Sequence, residues 1–194
     1  MYKVFLNDIA LYLVESTNNL PKEFTGKEIK LNSITDFENF NISESSYILC
    51  KNIIEVKNKI FNNYIDIAAA GGLVENKEGK FLFIYRLDKW DIPKGKIELN
   101  EEIRSAAIRE VEEECGISNP AITGQLPSTF HTYSRKGKKY LKRTYWFNMS
   151  YSGSEKVIPQ LEENITKVEW LGKKQFNKIK ENTYLSIIDV LNHI

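Results

Sequence analysis

The sequence predicts an α/β protein, an α/β/α sandwich on a mixed sheet with a small α+β appendage at its N-terminus. Three observations carry this. Residues 64–194 alternate strand-like apolar runs with two stretches of helical spacing. Residues 1–63 hold short strands and a helix of their own. No internal repeat or low-complexity tract points to a repeat architecture. A chain of 194 residues, 42% hydrophobic and 12% aromatic, suffices for one packed domain plus a small segment.

Taking the elements in order, Tyr2–Leu6 and Ile9–Val14 are apolar runs separated by Asn7-Asp8, a turn signal, and predict a hairpin. Residues 16–27, with Pro21 and Gly26, read as loop. Lys27–Leu31 is a candidate third strand, Ser33–Phe40 a short helix, and Tyr47–Cys50 a strand able to pair with the first hairpin. Between Asn52 and Tyr64 the spacing of Ile53, Val56, Ile60 and Phe61 predicts a helix. Strands are then expected at 65–75, 80–86, 121–133 (broken near Pro127), 140–151 and 165–171. One helix is expected from Glu101 to Cys115, with Asn100 as N-cap and Gly116 just past its end. A second is expected from Lys173 to His193, burying Phe176, Ile179, Leu185, Ile188 and Leu191. The domain division expected is 1–63 and 64–194.

Composition narrows the function classes. A net charge of +1 gives no global reason to expect nucleic acid or an acidic membrane as partner. Cys50 and Cys115 stand far apart, without partners at metal-site spacing, so a disulfide framework is not expected and a reducing cytoplasm is the expected location. The N-terminus has no basic region followed by an apolar run, and no apolar stretch reaches membrane-spanning length.

The chemistry is concentrated in one stretch, Gly95-x5-Glu101-x7-Arg109-Glu110-Val111-x-Glu113-Glu114-x-Gly116-Ile117. On a helix, Glu110, Glu113 and Glu114 fall within an arc of roughly 100°. Like charges so placed destabilise a helix. A divalent cation removes that penalty, and carboxylate oxygens suit Mg²⁺ or Mn²⁺. A solvated acidic helix would account for Glu102 and Glu112, but not for two glycines and an arginine at fixed offsets. Ile103, Ala107, Val111 and Cys115 form a stripe at i+4 spacing that can pack on a sheet, with the three acids beside it.

This pattern resembles the Nudix hydrolases at every fixed position. The approach to it is also similar: Ala68–Val74, then Lys80–Arg86, then Trp90-Asp91-Ile92-Pro93-Lys94-Gly95. The resemblance covers about Tyr64 to Ile194 and implies a Nudix-type sandwich. It implies a Mg²⁺-dependent pyrophosphohydrolase acting on a nucleoside diphosphate linked to another group. It implies Glu110, Glu113 and Glu114 as metal ligands, one of them the general base, with the Gly95 carbonyl a further ligand. Arg109 is implied to pair with Glu101 and to orient a metal-bound carboxylate. A further acid is expected from the loop Gln160–Asn164, Glu163 being favoured over an exposed acidic loop without a role.

Substrate contacts are expected from Arg86, Lys94, His131, Tyr133 and Arg135. The run Ser134–Lys139 reads as a hairpin tip, either a solvated edge or a cationic rim for a phosphate chain. Strand alternation points His131, Tyr133 and Arg135 one way and Thr132 and Ser134 the other. His131 with Tyr133, followed by Lys142–Trp146, is similar to the dinucleoside-polyphosphate and diphosphoinositol-polyphosphate branches. A (di)nucleoside polyphosphate is therefore the leading substrate expectation. The alternatives are an RNA 5′-pyrophosphohydrolase, an ADP-ribose or nucleotide-sugar hydrolase, and a non-catalytic ligand sensor. Pro127 is an ambiguous match to the ADP-ribose signature. Homodimers are common in the family and stand as an expectation. Residues 1–63 show no helix-turn-helix pattern.

Overall fold

The computed structural model describes residues 1–30 and 42–194. The helix expected at Ser33–Phe40 lies outside the described residues, as does Leu31. The chain forms two compact units, one of Met1–Ile67 with Phe130–Lys142 and one of Ala68–Thr129 with Arg143–Ile194.

In the first unit, β1 (Tyr2–Leu6) and β2 (Ile9–Val14) form the expected antiparallel hairpin. Asn7 and Asp8 both take positive φ, 49° and 64°, which suits a two-residue turn to the right-handed strand twist. β3 (Lys27–Glu28) is shorter than expected, and β4 (Ser46–Leu49) lies parallel to β2 with Leu11 opposite Ser46. The helix α1 (Ile53–Phe61) starts where the Asn52 side chain accepts a hydrogen bond from the Glu55 N–H. Its Ile60 and Phe61 pack with Val4, Leu11, Leu13 and Ile48.

The second unit contains β5 (Ile65–Asn76), β6 (Lys80–Arg86), β7 (Lys89–Asp91), β8 (Lys94–Lys96), α2 (Ile103–Cys115), β9 (Ala121–Arg135), β10 (Lys138–Tyr151), β11 (Ile165–Gly172), α3 (Phe176–Glu181) and α4 (Leu185–Leu191). Its strand order is β11-β6-β5-β10-β9, with β7 on β6 and β8 on β5. Alternation on β6 makes the layers. Leu82 and Ile84 face Ala106, Ala107 and Val111 of α2, whereas Phe81 and Phe83 face Phe176 and Ile179 of α3 and Ile187 and Leu191 of α4. The result is the expected α/β/α sandwich.

The facing ends of β9 and β10, and the first three residues of β5, belong to the first unit. There β1 pairs in parallel with β9, Phe5 opposite His131 and Leu6 opposite Thr132. Phe130 and Leu141 join the α1 core. The N-terminal segment therefore builds its core with a later hairpin, a partition that residues 1–63 alone do not describe.

Four local expectations are corrected. β9 runs unbroken through Pro127, because in this unit it has β10 as neighbour on one side only and an outer strand tolerates a missing N–H. α2 begins at Ile103, not Glu101. Asn100 sits at φ 65° in the preceding turn, and the Glu101 carboxylate is drawn away to Arg109. The α2 stripe omits Ile103, which is exposed, and includes Ala106 and Glu114. The C-terminal helix is interrupted at Asn182–Tyr184. Trp90 N–H donates to the Asn182 carbonyl at 2.9 Å, and the Thr183 hydroxyl donates to the Trp90 carbonyl at 2.7 Å. The break shifts the helical phase, so Ile187 and Val190 are buried where Leu185 and Ile188 were expected.

Thr183→Val keeps the shape but removes the donor to a buried carbonyl. It is expected to lower unfolding stability by roughly 1–3 kcal/mol. An unchanged denaturant midpoint would show that the Thr183–Trp90 contact carries no net stability.

Candidate active site

The local sequence explains why the acids of α2 meet the β7–β8 turn. Gly95 of β8 lies against α2 so closely that a Cβ there would sit 1.8 Å from the Glu110 Oε2. Only glycine leaves room for that carboxylate. At the other end of α2, Gly116 takes φ 67° and its N–H donates to the Glu112 carbonyl at 2.8 Å, a left-handed cap that stops the helix one residue after Cys115.

Exposure along the helix is graded. Glu114 is 1% exposed, Glu110 is half-buried and Glu113 faces solvent. The Glu114 Oε2 accepts a hydrogen bond from the Lys94 N–H at 2.9 Å, and its Oε1 lies 3.7 Å from Arg86 Nη1. Burial pushes the Glu114 carboxyl up to about 7, against the downward pull of Lys94. Burial also raises Glu110, opposed by its hydrogen bond from Arg109.

Arg109 is the hub of the box. Its guanidinium donates to Glu101 Oε1 at 2.7 Å and Oε2 at 2.9 Å, to Glu110 Oε1 at 2.9 Å, to Glu113 Oε2 at 2.8 Å and to the Lys96 carbonyl at 3.1 Å. The hydrogen bonds from Arg109 hold Glu101 down at about 2. Among the described residues no three acidic, histidine or cysteine side chains converge as a ligand cluster. Arg109 itself stands between Glu110 and Glu113, a monovalent cation neutralising two of the acids.

The donor chemistry fits a divalent cation. Glu110, Glu113 and Glu114 offer hard oxygens, the place of Glu110 exists only because Gly95 lacks a side chain, and the burial of Glu110 and Glu114 disfavours their charge unless a cation offsets it.

Around Glu114 the structure gathers Arg86, Lys94 and Glu163. Arg86 Nη2 donates to Glu163 Oε2 at 3.2 Å, so Arg86 links the acid of the Leu161–Glu163 turn to the acid of the helix. Asp91 was not singled out from the sequence. It is buried, takes the Lys94 Nζ at 2.5 Å and accepts from the Ile92 N–H at 2.8 Å. Burial pulls the Lys94 ammonium down, but Asp91 and Glu114 outweigh it and leave Lys94 raised. The available signal was the three-residue spacing of Asp91 and Lys94 across the Pro93 turn. His131, Tyr133 and Arg135 belong to the first unit, where Tyr133 stacks on Tyr140 with centroids 5.0 Å apart.

The Glu101–Arg109 pair sets a pH dependence. Glu101 titrates below its ordinary 4.5, so its contribution is present in full above about 4.5 and is lost as pH falls towards about 2. Glu101→Gln is expected to be less stable than wild type at neutral pH, with the difference narrowing below about 4.5. A difference independent of pH in denaturant titrations would contradict this.

The NUDIX domain family model matches residues 66–189. Nudix hydrolase 27, chloroplastic, of Arabidopsis thaliana is 28% identical over 94 residues, covering 43% of this chain and 41% of the relative. An RNA pyrophosphohydrolase of Pelagibacter ubique is 31% identical over 100 residues, covering 45% of this chain and 63% of the relative. The matches thus span less than two thirds of these relatives' own length. Among solved structures, the MutT protein of Methanosarcina mazei Go1 superposes with a TM-score of 0.50 at 22% identity, over 67% of this chain and 93% of that one, a likeness of fold. Among the described residues no helix is long and apolar enough to cross a membrane. With the family model spanning most of the chain and every fixed position of the box filled, the chain belongs to the Nudix family.

Proposed function

We propose that the protein is a divalent-metal-dependent pyrophosphohydrolase that cleaves a phospho-anhydride bond in a (di)nucleoside polyphosphate. The observation that carries this reading is the gathering of Arg86, Lys94 and Glu163 around Glu114, on the helix that also presents Glu110 and Glu113. Glu110, Glu113, Glu114 and the Gly95 carbonyl would hold the metal, Mg²⁺ or Mn²⁺ by donor type. When bound, such a cation neutralises phosphoryl charge and makes water a better nucleophile at neutral pH.

The protein's own groups have separable roles. Lys94, pinned by Asp91, and Arg86, tied to Glu114 and Glu163, present fixed positive charge to phosphoryl oxygens. Arg109, tethered by Glu101, orients Glu110 and Glu113. Water adds to phosphorus as the anhydride P–O bond breaks, and its proton passes to one of the carboxylates. His131, Tyr133 and Arg135 are further substrate contacts in this reading.

A second reading is specifically favoured by the relatives named RNA pyrophosphohydrolase, of which the Pelagibacter protein is 31% identical. In it, the anhydride is that of a 5′-triphosphorylated RNA end.

The deciding experiment offers diadenosine polyphosphates, nucleoside triphosphates, ADP-ribose, nucleotide sugars and triphosphorylated RNA to the purified protein with Mg²⁺ or Mn²⁺. Selective turnover that chelation abolishes is expected. Turnover of none would sink the hydrolase reading in favour of a ligand sensor. Glu114→Gln is expected to cost on the order of a hundredfold or more in kcat with the fold intact. Asp91→Asn, which loosens Lys94, is expected to raise KM more than it lowers kcat; an effect on kcat alone would remove Lys94 from substrate binding.

A further inference from the structure

The loop from β10 to β11 does more than join two strands. At Val157 it meets the helix–sheet core, against which the Val157 side chain packs. The Ile158 N–H then donates to the Cys115 carbonyl at 2.8 Å, and the Gln160 N–H to the Glu114 carbonyl at 3.3 Å. These are the last two carbonyls of α2, which no further turn of the helix can satisfy. The two donors stand two residues apart, and Pro159 between them has no N–H to leave unpaired. Pro159 also fixes its own φ at about −65° and disfavours helical backbone at Ile158. Gly116 completes the seat. A Cβ there would lie 2.8 Å from the Ile158 Cβ and 3.0 Å from its backbone nitrogen. The glycine that caps the helix therefore also leaves room for the strap that crosses its end.

The far end of this strap reaches the site. The Glu163 N–H donates to the Gln160 carbonyl at 3.2 Å, closing the turn Leu161–Glu163, and the Glu163 carboxylate accepts from Arg86 Nη2 at 3.2 Å. Arg86 Nη1 lies 3.7 Å from the Glu114 carboxylate. A path from the Glu114 carbonyl through Gln160, Glu163 and Arg86 thus returns to the Glu114 side chain. Capping the helix would need no such closure. Glu163 itself is exposed, and an acid on a surface turn wanders unless its backbone is held. Here the hold begins three residues away, at Gln160.

We propose that Val157–Gln160 is a positioning strap, which fixes Glu163 beside Arg86 and Glu114 by fastening its backbone to the last two carbonyls of α2. Val157 anchors the strap and Pro159 stiffens it, both acting through Glu163 rather than on the substrate. The proposal rests on the hydrolase reading above, in which Glu163 belongs to the reacting site.

The test has two arms. Amide hydrogen exchange, which needs neither substrate nor metal, is measured on the full chain and on its Val157→Ser variant. The Ile158, Gln160 and Glu163 amides are expected to be protected in the wild type and to lose protection in the variant, while those of Ala107 and Val111 in α2 stay protected. Free exchange at Ile158 and Gln160 in the wild type would overturn the proposal, as would Glu163 protection that Val157→Ser leaves intact. The second arm follows turnover of the best substrate in the panel above by Pro159→Gly, which removes no hydrogen bond. It is expected to lower kcat about threefold to tenfold with KM nearly unchanged, and Pro159→Ala to restore most of the loss. Glu163→Gln is expected to cost a smaller factor in the Pro159→Gly background than in the wild type. An equal factor in both backgrounds, or a change confined to KM, would show that the strap does not act through Glu163. If the wild type turns over no anhydride, the hydrolase reading falls, and the exchange arm alone decides whether the strap holds Glu163.

Discussion

Glu114 carries a carboxylate into a helix–sheet interface that water scarcely reaches, and much of the second unit is arranged around tolerating it. Its neighbours along α2, Ala106, Ala107, Val111 and Cys115, are wholly buried, so the helix cannot rotate to expose the acid without exposing them. The compensation comes from three directions: the Lys94 N–H from the β7–β8 turn, the Arg86 guanidinium from the end of β6, and the Lys94 ammonium held by Asp91. Each partner lies at the end of a short strand or in a turn, where the chain can bend towards the helix. A buried charge constrains its surroundings more tightly than an apolar residue would, because each missing partner leaves an unpaired polar group.

Arg109 makes the complementary arrangement at the more open side of the same helix. One guanidinium serves Glu101, Glu110 and Glu113, and its last hydrogen bond goes to the backbone of Lys96. The two cations Arg86 and Arg109 thus divide the acids between them, Arg86 with Glu114 and Glu163, Arg109 with the rest. The division keeps the carboxylates of Glu110, Glu113 and Glu114 compatible with one helix.

What the sequence made legible was what neighbours in sequence decide. Asn7-Asp8 fixed the first hairpin and Gly116 the end of α2 through backbone geometry, and Asn52 the start of α1 through its side-chain hydrogen bond, each within a few residues. The box acids were legible because helical spacing puts them together before any tertiary contact forms. Features made by distant partners were not. The helix break at Asn182–Tyr184 exists because Trp90, more than ninety residues earlier, supplies a donor and an acceptor. Asp91 is an ordinary acid in the sequence and becomes part of the site only through its burial beside Lys94. Ile103 looked like core by spacing and is exposed, because α2 starts later than Glu101.

The first unit is assembled from two separate lengths of chain, Met1–Ile67 and Phe130–Lys142, and this has a consequence for synthesis. At about 5–20 residues per second, a ribosome needs roughly 3–12 s to make the stretch between them. During that interval one edge of β1 has no partner, because its neighbour there, β9, has yet to be made. An unpaired strand edge is a template for any other extended chain. The nascent β1–β2 hairpin therefore waits, open along Phe5–Leu6, while α2 and most of its sheet are being made behind it.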